Sequence, residues 1–108
     1  MPHIVIEHSK SLNELAPLAM YDVHQHVTNC GLFSQQAVKA RTQSYERELL
    51  PDGAANFMHV TVSILSGRTE EERSELSKAI FEKIRENYND IDRLSVDISE
   101  MNKTTYSK

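Results

Sequence analysis

Alternating and helical spacings of apolar residues succeed one another twice along the chain. His3-Ile-Val-Ile-Glu-His8 is short and rich in β-branched residues, which predicts a strand with Pro2 at its edge. Ser11-Leu-Asn-Glu14 has the form of a capping box, after which Leu12, Leu15, Ala19, Val23, Val27 and Cys30 recur at steps of three and four. Such spacing places one apolar face on a helix. Pro17 lacks a backbone N–H, so regular helix is expected from near Ala16 after a single capped turn, and Gly31 supplies the stop.

From Val38 to Arg47 the side chains alternate again, with Val38, Ala40, Thr42 and Ser44 on one face and Lys39, Arg41, Gln43 and Tyr45 on the other. Pro51-Asp-Gly53 marks a turn. It leads into the clearest strand, Phe57 to Leu65, where Met58, Val60, Val62 and Ile64 face one way and Phe57, His59, Thr61 and Ser63 the other. Gly67-Arg68 breaks that strand, and Thr69 with Glu72 forms a second capping box. Leu76, Ala79, Ile80, Ile84 and Tyr88 then mark a second helix, which Asn89 can end. A last strand follows at Leu94, Val96 and Ile98, and the polar tail 102–108 shows no packing pattern of its own.

Strand, helix and strand in succession favour a parallel crossover, so two such βαβ units give an α/β (α+β) fold with a four-stranded sheet and both helices on one face. The other face would carry His59, Thr61 and Ser63, a half-polar surface that water or identical copies can cover. A length of 108 residues fits one domain, 1–108. No apolar run approaches the roughly 20 residues of a membrane span, and no basic segment followed by a long apolar stretch opens the chain. A cytoplasmic protein with no membrane partner is expected. The single cysteine, Cys30, agrees with a reducing compartment. Residues 1–54 hold four basic and six acidic side chains and residues 55–108 hold eight and ten, so no basic stripe argues for nucleic acid.

The chemistry must come from few residues. If Met1 is cleaved, Pro2 becomes a secondary amine, which desolvation or a nearby cation lowers toward neutrality, and so a candidate general base; position alone favours the plainer reading that it merely ends the strand. Lys39 and Arg41 share a strand face, and Arg68 lies between a strand end and a helix start. Such cations suit a carboxylate, which arginine can hold in a bidentate fork, or they are solvated surface charges. His24, His26 and Cys30 share a helix, but residues two apart diverge by roughly 200°, so no metal site is expected. His59 reads as a hydrogen-bonded structural histidine and Cys30 as a buried thiol.

Taken together, Pro2-His3 with Glu7 and Ser9, Gly31-Leu-Phe33, Arg41, Phe57-Met-His-Val-Thr61 and Gly67-Arg68 resemble the 5-carboxymethyl-2-hydroxymuconate Δ-isomerase family of the tautomerase superfamily. The match runs in order over nearly the whole chain. The resemblance implies a homotrimer of tautomerase-like subunits acting on a small carboxylated unsaturated acid in aromatic-compound catabolism, without metal or organic cofactor. By the same resemblance Pro2 would take the proton of a dienol hydroxyl and return one to a distant carbon, and Arg41 and Arg68, with Lys39, would bind substrate carboxylates. The chain departs from the family pattern at Lys39, where an arginine is common, in having no tryptophan, and in a shorter tail. Two rival expectations stand beside this one: another proline-dependent reaction on the same fold, hydration or decarboxylation, and a non-catalytic trimeric binding module.

Overall fold

The computed structural model describes residues 1–108. Its elements are β1 (His3–Ser9), α1 (Ala16–Asn29), β2 (Lys39–Tyr45), β3 (Phe57–Leu65), α2 (Glu70–Asn87) and β4 (Arg93–Met101), with single 3-10 turns at Lys10–Leu12 and Pro51–Gly53. The sheet runs β2-β1-β3-β4. β1 is parallel to β2 and β3 to β4, while the central pair β1 and β3 is antiparallel, so the two βαβ units lie side by side in opposite directions.

Alternation decides which face is covered. Ile4 and Ile6 of β1 and Met58, Val60, Val62 and Ile64 of β3 are buried against Ala16, Ala19, Val23 and Val27 of α1 and Leu76, Ile80 and Ile84 of α2. Both helices therefore lie on one side, as expected. The register sets His3 beside Lys39 and Ser63, Val5 beside Arg41 and Thr61, and Glu7 beside Gln43 and His59 on the other face. Polar side chains there pair with one another: Tyr45 donates to Glu7, and a ring nitrogen of His59 lies 2.6 Å from the Ser95 hydroxyl. No helix is long and apolar enough to cross a membrane.

The two expected capping boxes part company. At α2 the box forms as the spacing requires, with the Thr69 hydroxyl accepting from the Glu72 N–H and the Glu72 carboxylate accepting from the Thr69 N–H. At α1 it does not: the chain makes a 3-10 turn over Lys10–Leu12, and regular helix starts at Ala16 behind Leu15, without a side-chain cap. A long-range tie replaces the local one. The buried Ser9 hydroxyl donates to the Glu48 carboxylate at 2.7 and 2.8 Å and accepts from the Phe57 N–H at 2.9 Å, fixing this turn to the segment that enters β3.

Helix α2 ends at Asn87 with Tyr88 as its extended C-cap and Asn89 just beyond, and the Tyr88 hydroxyl donates to Asp22 of α1 at 2.7 Å. Burial and that hydrogen bond push the Tyr88 hydroxyl up to about 12. The tail is mostly exposed, but one of its residues docks on β1. Its backbone turns back on Asn102, and the Tyr106 ring stands edge-on to His3 with its hydroxyl 2.8 Å from Nε2.

Candidate active site

The strand directions gather four chain segments at one end of the sheet. β1 and β2 begin there and β3 and β4 finish there, because the two units run in opposite directions. The Lys39 N–H donates to the Pro2 carbonyl at 3.0 Å, and the Ser66 N–H to the Met101 carbonyl at 2.9 Å. Between these ties lies a pocket of about 350 Å³ lined by Met1, Pro2, Leu32, Phe33, Ser34, Ala37, Leu65, Arg68 and Lys108. Hydrophobic and polar groups both line it, and its only charged side chains are cations.

Of the residues singled out from the sequence, the structure brings Pro2 and Arg68 into this pocket. Pro2 is fully buried. Arg68 donates to the Leu32 carbonyl and lies 5.4 Å from the centre of the Phe33 ring, so the guanidinium clamps the 31–34 loop as it enters the pocket. Gly67 permits this corner: its φ is 124°, and a Cβ there would sit 2.9 Å from Lys103 Nζ.

Lys39 and Arg41 lie outside the pocket lining, on the open sheet face. Arg41 donates to Nδ1 of His3 at 3.3 Å. With that nitrogen accepting, Nε2 carries the proton and donates to Tyr106. Burial first, then the charges of Arg41 and Lys39, holds His3 below its ordinary 6.5. The Met1 amine is likewise below its ordinary 8.0, through burial, then Lys108 and Lys39. The cations that bear on this terminus are thus Lys108 and Lys39.

Neither ion pair of the molecule, Lys10 with Glu46 and Arg73 with Glu100, involves Lys39, Arg41, Arg68, Lys103 or Lys108. In a chain of formal charge -4, this end keeps its cations unneutralised. The carboxylates nearest in sequence to Arg68 begin α2, where Glu72 is committed to the cap. On α1 a His24 ring nitrogen is 3.1 Å from the Val38 carbonyl, and the Cys30 thiol donates to the Val27 carbonyl. No group of three metal-ligating side chains is assembled.

Sequence reasoning missed Lys108 and Tyr106, which carry no local pattern. It could have found more in Leu32-Phe33, an apolar pair inside an otherwise polar loop, which now forms part of the pocket wall.

Known structures share this fold. A 5-carboxymethyl-2-hydroxymuconate isomerase from Deinococcus radiodurans R1 aligns with TM-score 0.81 at 23% identity, covering 99% of this chain and 87% of that one. A 5-carboxymethyl-2-hydroxymuconate delta-isomerase aligns with TM-score 0.77 at 13% identity, over 100% and 87% of the two chains. A fused 4-OT wild-type symmetric trimer aligns with TM-score 0.75 at 17% identity, over 98% and 90%. Among curated proteins no sequence matches. Likeness at these identities establishes the tautomerase-like fold, whereas a family's sequence model reads the residues themselves. That of 5-carboxymethyl-2-hydroxymuconate isomerase matches residues 2–108, and the chain belongs to this family.

Proposed function

We propose that the protein is an isomerase that moves a proton within an unsaturated 2-hydroxy acid, with the amine of Pro2, freed by removal of Met1, as general base. The observation that carries this reading is the burial of Pro2 in the pocket that Arg68 also lines. The surroundings that hold the Met1 amine below 8.0 would act on a Pro2 amine too, since burial and the charges of Lys108 and Lys39 all disfavour its protonated form. A neutral secondary amine accepts the dienol O–H proton. As the electron pair moves toward the far end of the diene, the same proton returns at the distal carbon and leaves a conjugated 2-oxo acid. The reaction is redox-neutral and releases nothing, so it uses no co-reactant. Arg68 would hold the substrate carboxylate and favour charge on the enolate oxygen.

A homotrimer is part of the same reading. Its support is the half-polar sheet face opposite the helices, together with a structural neighbour described as a symmetric trimer. Dienol turnover followed against pH tests the base. The group that must be unprotonated for kcat/KM should titrate below an ordinary α-amino group, and a chain shown by intact mass to keep Met1 should be inactive. Equal turnover with Met1 in place would exclude Pro2 as the base. Release of carbon dioxide or uptake of water, with no isomer formed, would instead favour a different proline-dependent reaction.

A further inference from the structure

The tail reaches the pocket by a route that its sequence does not announce. After β4 the backbone folds on Asn102: its side chain accepts from the Thr104 N–H at 2.8 Å, and its carbonyl accepts from Thr105 and Tyr106 at 3.2 and 3.0 Å. Tyr106 then docks on His3, with ring centroids 6.2 Å apart and the hydroxyl on Nε2. Two residues later Lys108 is part of the pocket lining. From this placement we propose that Lys108, delivered by the Tyr106–His3 latch, is a specificity residue that binds a second carboxylate of the ligand while Arg68 holds the first. The proposal rests on the reading of this pocket as the substrate site.

Three observations converge on it. Lys108 and Arg68 are the only charged side chains among the lining residues, and they come from separate segments of the chain, so one carboxylate need not satisfy both. Neither forms an ion pair, so each leaves its charge open to an anionic ligand. After burial, the Lys108 charge is the next cause that holds the Met1 amine below its ordinary 8.0. Arg68 has already committed one donor to the Leu32 carbonyl; Lys108 has no partner among the hydrogen bonds that order the tail. A point-like ammonium on a flexible stem tolerates ligands of differing length, whereas the clamped guanidinium fixes one end.

The test uses two inert probes: muconate, a conjugated diene with a carboxylate at each end, and sorbate, the same six-carbon diene with only one. Binding is measured calorimetrically at low salt on the full chain, before and after Lys108→Met, Lys108→Arg and Tyr106→Phe. Losing one charge-assisted contact should weaken muconate by roughly 10- to 150-fold in Lys108→Met and leave sorbate within about twofold. Lys108→Arg should restore muconate binding. Tyr106→Phe keeps the ring but loses the hydroxyl on His3, so the muconate preference should fall by a smaller factor. Equal loss for both probes, no loss for either, or no binding of either to the parent chain would overturn the proposal. Because neither probe has an enolic proton to move, absence of isomerase activity alongside an intact muconate preference would refute the proposed reaction and leave this assignment standing.

Discussion

Arg68 has two partners inside the protein and is proposed to have a third in the substrate, and one substitution can separate these contributions. Arg68→Ala removes a hydrogen bond to the Leu32 carbonyl and the stacking over Phe33. An exposed cation–π contact is worth about 0.5–1 kcal/mol and a hydrogen bond about 0.5–1.5 kcal/mol net, so urea unfolding should show a loss of about 1–2.5 kcal/mol. The fold should survive, because no residue of the hydrophobic core is altered. Catalysis should suffer more. A charge-assisted contact to a carboxylate contributes about 1.5–3 kcal/mol, which corresponds to a fall in kcat/KM of roughly 10- to 150-fold on a carboxylated dienol. Arg68→Lys keeps the charge without the planar fork and should fall between the parent and Arg68→Ala. Initial rates at saturating and limiting substrate, measured beside urea curves for the same preparations, give both numbers. If Arg68→Ala shows the stability loss while kcat/KM stays within about twofold, Arg68 is a clamp for the 31–34 loop and the carboxylate is held elsewhere.

Acid should destabilise the fold through two histidines. His3 is lowered by burial, then by Arg41 and Lys39, and His26 by burial, then by Lys83, so the unfolded chain binds these protons first and stability falls as pH drops through 6.5. His26→Gln should flatten that slope in urea titrations, and an unchanged slope would locate the acid sensitivity elsewhere. Thr69→Ala should cost about 1 kcal/mol by uncapping α2, whereas Ser11→Ala should cost almost nothing because the α1 box does not form; equal losses in thermal melts would contradict the two geometries. Light scattering at micromolar concentration should report a trimer, and a monomer there would leave the polar sheet face to water.

What could be read from the order of residues was whatever depends on near neighbours. The alternation Met58, Val60, Val62, Ile64 defines a one-sided strand because successive side chains must point to opposite faces, and the buried positions of β3 follow it throughout. Thr69 and Glu72 close their cap because both groups lie within one turn of the backbone they satisfy. The same four-residue pattern at Ser11 failed where a distant group intervened, Ser9 being tied to Glu48 and Phe57 about forty residues away. Pro2 and Arg68 were each visible as candidates, but only the antiparallel pairing of β1 with β3 puts the start of one strand beside the end of the other. Lys108 and Tyr106 gave no local sign at all. Tyr106 meets His3 across 103 positions, and such a contact exists only once the sheet has brought the beginning of β1 and the end of β4 to the same end of the molecule. Periodicity and capping are enforced by bonds a few atoms away, so the sequence states them directly; the convergence of four segments on one pocket is a property of strand order and direction, which no single segment encodes.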